Sequence, residues 1–196
     1  DVYVLKLDTK IKGYYKPINP NTKFPENDYN IRPLQMMNNE VAAYKLSEVL
    51  GGNFSGLVPE TNIRDYEGTL GSIQAEVIKE YDPNDVTMDQ FDNRHLKAAA
   101  IFDYISGSLD RHLDNFIIDK NMKMNLIDNG LSFPEHLEGD SLYVHASDII
   151  DSTFFSSEKQ IIDDEDLIPI VKLMESKNSL GMDKYLSPVA LESMRK

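Results

Sequence analysis

The chain has 196 residues, of which 41% are hydrophobic, and its formal net charge is -13. This length suits one domain or two small lobes that share a cleft, and the composition is that of a folded globular protein. The negative charge argues against partners such as nucleic acid or an anionic membrane surface, since both require clustered Lys and Arg. The sequence contains no cysteine, which excludes disulfide frameworks, thiolate zinc sites and cysteine nucleophiles.

No apolar run approaches the roughly 18 residues of a membrane-spanning helix, and the chain does not open with a signal segment. We therefore expect no transmembrane segment and a soluble protein in the cytoplasm or another intracellular compartment. Asp1 is expected to be a trimmed or mid-strand start.

The first part of the chain is rich in predicted strands. Residues 2–7 and 14–16 have the composition of a β-hairpin, and residues 57–63 and 71–78 are predicted to form two further strands. The segment 82–85 contains a proline and two aspartates, which breaks the pattern. We predict a boundary there between a small strand-rich lobe, residues 1–80, and a helical lobe, residues 81–196.

A helix is predicted between the two strand pairs. Asn38 or Asn39 is the expected N-cap, and Gly51 with Gly52 is the expected C-terminal stop. Glu40 would then lie in the first turn, where a carboxylate complements the helix dipole.

In the second half, apolar residues recur at helical spacing over 89–109. Residues 115–118 and 123–127 are predicted to form a hairpin. A helix is expected over about 165–177, and the acidic run 163–166 is interpreted as its solvated start. Ser187 followed by a proline predicts the N-cap of a last short helix.

Asp110, Asn115 and Asp128 lie on a polar turn and a short hairpin, where they could converge on one point. Phosphoryl transfer from ATP requires a cation on the phosphates, oxygen ligands for Mg²⁺ and a carboxylate that orients the attacking hydroxyl. Asn and Asp oxygens are suitable Mg²⁺ ligands. Each of the three residues alone is explained as well by turn chemistry. Together with Lys16 at a strand end and Glu40 in the next helix, they form an ordered set.

Other sites find less support in the sequence. His95, His136 and His145 lack the spacing of zinc ligands, so structural histidines are favoured. The sequence contains no G-x-x-x-x-G-K-[ST] motif, which excludes a P-loop enzyme.

These motifs resemble those of the phosphatidylinositol 3/4-kinase superfamily, which has an atypical protein-kinase fold. Within it, the chain is most similar to the type II phosphatidylinositol 4-kinases and their bacterial relatives. The similar segments, in chain order, are Gly13 to Pro17, Glu40 to Tyr44, Val58 to Thr61, Gly71 to Gln74, the D-R-H-x-x-N stretch Asp110 to Asn115, and Ile127 to Pro134.

The resemblance implies an α+β fold of two lobes, with a small antiparallel sheet in the N-lobe and a mainly helical C-lobe. Its implied ligands are ATP and Mg²⁺. Lys16 would hold the ATP phosphates and pair with Glu40, and Asp110 would be the catalytic residue that orients the acceptor hydroxyl. The remaining implied roles are Mg²⁺ ligands at Asn115 and Asp128, structural support of the loop by Arg111 and His112, and backbone contacts to adenine near Glu76 to Ile78.

Two departures from the family pattern bear on function. The N-terminal segment lacks a glycine-rich loop, which we expect either to precede residue 1 or to be replaced. Residues 129–158 contain no Lys or Arg, although an anionic phosphoinositide headgroup would favour cations there.

We therefore expect a kinase whose acceptor is a protein Ser/Thr or a small soluble alcohol. The alternatives are a phosphatidylinositol lipid kinase, a non-catalytic pseudokinase that serves as an interaction module, and an AMP transferase that uses the same ligands.

Overall fold

The computed structural model describes residues 2–6, 12–18, 31–135, 147–155, 162–176 and 181–194. The fold combines a four-stranded antiparallel sheet, a two-stranded sheet and several helices. This confirms the predicted α+β class and agrees with a kinase-like arrangement of two lobes.

The larger sheet has the strand order β1-β2-β4-β3. Its strands are β1 (Tyr3–Lys6), β2 (Lys12–Pro17), β3 (Thr61–Tyr66) and β4 (Thr69–Ala75). All four predicted strands are present, with β3 displaced toward the C-terminus relative to the prediction. Strand β2 pairs with β1 on one side and β4 on the other, so the sheet fixes the direction of Lys16.

The interior position of β2 requires a small residue at Gly71 on β4, which pairs with Pro17 next to Lys16. A Cβ atom built at Gly71 would collide with the Lys16 carbonyl and the Tyr15 ring. Glycine is therefore required at this position for the two strands to approach each other.

Helix α1 (Pro33–Leu50) follows the sheet's first hairpin, and Pro33 occupies its first turn. Proline suits this position because its fixed φ matches the helix and its missing N–H has no helical partner. The predicted N-cap at Asn38 or Asn39 is wrong, and Glu40 therefore lies in the helix interior rather than in its first turn. The predicted stop is confirmed, since Gly51 closes the helix with φ 65°.

Helix α2 (Asn93–Ser106) begins at Asp92, whose side chain accepts from the N–H groups of Arg94 and His95. Its inner face joins α1 and the second sheet in one hydrophobic core. The strands of that sheet, β5 (Phe116–Ile118) and β6 (Met124–Leu126), confirm the predicted hairpin.

His95 connects α2 to β6. Its Nε2 accepts from the Met124 N–H at 2.9 Å, and burial lowers the pKa of His95 below its ordinary value of 6.5. The unfolded chain therefore takes up a proton at a higher pH than the folded protein does.

We expect the stability that comes from neutral His95 to be complete above about pH 6.5 and to decline as the pH falls below it. The measurement is the melting temperature of the wild type and of His95→Gln between about pH 7.5 and pH 5.5. The wild type should lose more stability than the variant across this range. Parallel curves would contradict this role of His95.

Three shorter helices complete the described part of the second lobe. They are α3 (Asp148–Ile150), which continues into a π-helical turn at Asp151–Phe155, α4 (Asp164–Glu175) and α5 (Pro188–Ser193). The predicted N-cap of α5 is confirmed, because the Ser187 side chain accepts from the Ala190 N–H.

The start of α4 is not simply solvated, contrary to the prediction. Asp166 is buried, and its Oδ2 lies 2.6 Å from Nζ of the buried Lys97 on α2. Asp163 approaches the same ammonium at 2.9 Å and forms a capping box with Asp166. Burial opposes the charge of Lys97, but the two carboxylates raise its pKa above the ordinary value. This ion pair anchors α4 to α2.

Replacing Lys97 with methionine should lower the free energy of unfolding by about 3 kcal/mol, since Asp166 loses its buried counter-charge. Chemical denaturation would measure the change. A loss below about 1 kcal/mol, the value typical of an exposed pair, would contradict the anchoring role.

Backbone hydrogen bonds connect the two parts of the fold. The Leu126 N–H donates to Leu57 at 2.7 Å, and the Glu80 N–H donates to Ile118 at 2.9 Å. The lobe boundary near residue 80 stays a prediction. Within the described ranges, no helix combines the length and apolar character needed to cross a membrane.

Candidate active site

Lys16 joins two carboxylates that come from distant parts of the chain. Its Nζ lies 2.7 Å from Glu40 Oε1 on α1 and 3.0 Å from Asp128 Oδ1 after β6. Burial opposes the charge of Lys16, but Glu40 and Asp128 outweigh that effect and raise its pKa. The side chain is therefore a fixed cation near the C-terminal end of the interior strand β2.

Glu40 holds two partners at once. Its Oε1 faces Lys16, and its Oε2 accepts from the Asn129 backbone N–H at 3.1 Å. The Glu40 side chain is buried, and the residue lies in the middle of α1. It therefore links the sheet to the segment after Asp128 and does not complement the dipole of α1.

The loop after α2 places Asp110 and Asn115 together. Asn115 Nδ2 donates to the Asp110 carbonyl at 2.6 Å and lies 3.4 Å from Asp110 Oδ2. His112 is in the same loop, and its Nδ1 accepts from the Asp114 N–H at 3.2 Å. The Asp110 side chain is 51% exposed, so its carboxylate is accessible to a substrate.

Arg111 is the buried centre of this region, with only 2% of its surface exposed. Its Nε is 3.1 Å from both carboxylate oxygens of Asp103 on α2. Its Nη1 donates to the carbonyls of Asn115 at 2.5 Å and Ile127 at 2.7 Å. Its Nη2 donates to Asn129 Oδ1 at 2.6 Å. One guanidinium thus holds the loop of Asp110 against the segment that carries Asp128.

Asp103 is fully enclosed beneath Arg111. Its Oδ2 also accepts from the Ser147 hydroxyl at 2.8 Å. Burial raises the pKa of Asp103, while the Arg111 guanidinium and the Ser147 hydroxyl oppose that shift. The two carboxylate oxygens share the single Nε–H donor of Arg111, so both Nη groups remain for the other acceptors of this region.

Asp128 has the left-handed backbone conformation, with φ 55° and ψ 53°. This region is unfavourable for residues other than glycine, and it persists where surrounding contacts impose it. The Asp128 side chain is 53% exposed, so a cation could reach it.

The oxygen atoms of Asn115 and Asp128 suit Mg²⁺. Asn115 uses Nδ2 toward Asp110, which leaves its amide oxygen for a cation. Within the described part of the chain there is no cluster of three or more His, Cys, Asp or Glu that could hold a metal. Mg²⁺ commonly binds through one or two protein oxygens with phosphate and water, and this pair fits that pattern.

A cavity of about 950 Å³ opens beside Lys16, Glu40 and Asp128. Apolar side chains of β1 and α1, among them Val4 and Met36, form part of its wall. The cavity therefore lies next to the Lys16 ammonium and its two carboxylate partners.

Glu76 and Ile78, the predicted adenine contacts, lie just beyond β4 and do not line this cavity. The Glu76 N–H already donates to the Lys12 carbonyl at 3.0 Å. A contact from Glu76 to adenine would therefore use its carbonyl oxygen. The Ile78 side chain is exposed, and its role in adenine binding stays a prediction.

The sequence did not point to Asn39, Asp103 or Asn129 as part of the site. Asp103 left a detectable signal, because it is an acidic residue between apolar neighbours on the buried face of α2. Asn39 and Asn129 adjoin residues that were identified, but their pattern suggested a cap and a turn. Their partners are distant in sequence and only folding reveals them.

A family model described as "Phosphatidylinositol 3- and 4-kinase" matches residues 61–196. The match includes Asp110, Asn115 and Asp128, and it begins after Lys16 and Glu40. A comparison with curated proteins found no significant match.

Proposed function

The chain belongs to the phosphatidylinositol 3- and 4-kinase family, and from that premise we propose an ATP- and Mg²⁺-dependent transfer of the γ-phosphoryl group to a hydroxyl acceptor. The observation that carries the proposal is the convergence of Lys16, Glu40 and Asp128 at 2.7 and 3.0 Å. These residues come from a strand, a helix and a loop.

Lys16 would bind the ATP phosphates as a fixed cation. Glu40 would keep the ammonium in place from the buried side, and the exposed Asp128 carboxylate would be the partner of Lys16 that also serves Mg²⁺. Mg²⁺ would neutralise part of the negative charge of the phosphates and would orient the transferred group. Asn115 and Asp128 would hold it through their side-chain oxygens.

Asp110 would orient the acceptor hydroxyl and accept its proton. The exposed carboxylate and its place beside Asn115 support this role. Arg111 and His112 act through the backbone, since Arg111 binds two carbonyls and His112 accepts an N–H within the loop. Adenine would meet backbone groups near Glu76 to Ile78.

The acceptor is proposed to be a protein Ser/Thr or a small soluble alcohol. The 30-residue stretch 129–158 carries no Lys or Arg, and its acidic side chains would repel a phosphorylated headgroup. Phosphatidylinositol is the alternative acceptor, and the match to the phosphatidylinositol 3- and 4-kinase family model favours it.

Three acceptors tested in parallel with γ-labelled ATP and Mg²⁺ distinguish these substrates. They are Ser/Thr peptides, free inositol, and vesicles of phosphatidylinositol in a neutral lipid. We expect label in the peptides or in inositol, and none in the vesicles. Label in the vesicles alone would overturn the acceptor proposal and establish a lipid kinase. Absence of label in all three, despite intact ATP binding, would favour the non-catalytic module.

A further inference from the structure

Helix α1 contacts the segment after Asp128 along one narrow stripe. Asn39 and Glu40 follow Met36 by three and four residues, so both neighbour Met36 on the helix surface. A Cβ atom built at Gly130 would lie 3.2 Å from Met36 Cε and 3.3 Å from its Cβ. The backbone of Gly130 therefore lies close to α1, and a side chain there would require Met36 to shift by a few tenths of an ångström.

Asn39 fixes this segment through two hydrogen bonds. Its Nδ2 donates to the Gly130 carbonyl at 2.9 Å and to the Ser132 carbonyl at 2.6 Å. The side chain is 0% exposed, so water does not compete for these bonds. Two donors on one planar amide set both the distance and the direction of the bound carbonyls.

The amide oxygen of Asn39 has no hydrogen-bond partner among the described residues, although it is buried. A buried acceptor without a partner is unfavourable for stability. Stability alone thus does not explain an asparagine at this position. A requirement to hold the two carbonyls does explain it, since an apolar side chain of similar volume could not bind them.

We propose that Asn39 is a positioning residue for the Mg²⁺ ligand Asp128, and that it acts through Gly130 and Ser132. Asp128 lies two residues before Gly130, and its left-handed backbone conformation is less favourable than the right-handed one. The bond from the Asn129 N–H to Glu40 attaches the same segment to α1 at a second point. Helix α1 is therefore attached to this segment through both Asn39 and Glu40. The inference rests on the proposed use of Asp128 as a cation ligand.

Two substitutions test the role of Asn39. Asn39→Ala removes both donors, and Asn39→Asp places a second oxygen against the carbonyls of Gly130 and Ser132. Binding of ATP would be measured by calorimetry across a Mg²⁺ titration. We expect the half-saturating Mg²⁺ concentration to rise about tenfold in Asn39→Ala and further in Asn39→Asp, as for other residues that orient metal ligands. The affinity for ATP without Mg²⁺ should not change.

Hydrogen exchange provides a readout that needs no bound metal. Backbone amides of residues 128–133 should exchange faster in Asn39→Ala than in the wild type, relative to the amides of α2. This local loss of protection is expected because the two carbonyls lose their attachment to α1.

Leu46→Ala is the matched control for lost stability. Leu46 is fully buried in the same helix, and it belongs to the hydrophobic core rather than to the Asn39 stripe. We expect it to lower the melting temperature at least as much as Asn39→Ala, with the half-saturating Mg²⁺ concentration unchanged. Ser47→Ala, which removes only a bond to the Tyr44 carbonyl, serves as the polar control.

The proposal would be overturned if Asn39→Ala and Leu46→Ala shifted the Mg²⁺ dependence equally, or if Asn39→Ala shifted neither readout. Wild-type protein that binds Mg²⁺ and ATP together without transferring phosphate would overturn the proposed function alone. The positioning role would still be measured by binding. If the affinity of the wild-type protein for ATP does not depend on Mg²⁺, both the positioning role of Asn39 and the proposed function would be overturned.

Discussion

Replacement of Arg111 by methionine is expected to lower the free energy of unfolding by on the order of 5 kcal/mol. The variant leaves the Asp103 carboxylate enclosed without its counter-charge. It also leaves the Ile127 carbonyl and the Asn129 amide oxygen without a donor, while the Asn115 carbonyl keeps only the Ile127 N–H at 3.0 Å. Chemical denaturation measures the loss.

The double variant Arg111→Met with Asp103→Leu is the control. It removes both charges, so the unpaired acceptors and the Ser147 hydroxyl that donated to Asp103 remain, and it should be more stable than Arg111→Met alone. A double variant that is less stable than the single one would show that Asp103 supports the fold independently of Arg111.

Asp110→Asn is expected to reduce kcat by about 10²- to 10⁴-fold, the usual contribution of a group that accepts a proton in the transition state. The amide retains the shape of the carboxylate, and the Asp110 backbone carbonyl still accepts from Asn115. The KM for ATP should therefore stay near its wild-type value. Steady-state kinetics with the preferred acceptor gives both quantities.

Asp114→Asn is the matched control for the change of charge. Asp114 lies in the same loop, and its side chain is 91% exposed. Its replacement should leave kcat almost unchanged. Equal losses in the two variants would mean that the loop's charge matters rather than the particular carboxylate of Asp110.

Local patterns in the sequence were sufficient to predict most of the fold. Alternation and turn residues placed the strands, and helical spacing placed α2, because both signals arise from neighbours in the chain. The start of α1 was missed for an instructive reason. Asparagine is a residue type that favours helix N-caps. The Asn39 amide instead binds the carbonyls of Gly130 and Ser132, and such tertiary hydrogen bonds override a local preference.

In the candidate site, too, local motifs could be read from the sequence and tertiary contacts could not. The order of Lys16, Glu40, Asp110, Asn115 and Asp128 could be read from motifs, and the structure brings Lys16 into contact with Glu40 and Asp128. The catalytic roles of these residues stay proposals.

The partners of buried charges could not be predicted. Arg111 was expected to support its loop, but nothing local indicated that Asp103 would be its counter-charge. Asp166 was interpreted as solvated, because a run of acidic residues at a helix start usually is. Its pairing with Lys97 depends on how α2 and α4 pack, and that packing has no signal in either segment alone.

The central claim, that this site transfers the γ-phosphoryl group of ATP, is tested most directly by the position of a transferred label. The wild type and Asp128→Ala would be incubated with Mg²⁺ and with ATP labelled at either the γ- or the α-phosphate. The account predicts that the wild type transfers label from the γ position only and that Asp128→Ala transfers none. Transfer from the α position only would contradict the account and identify an AMP transferase.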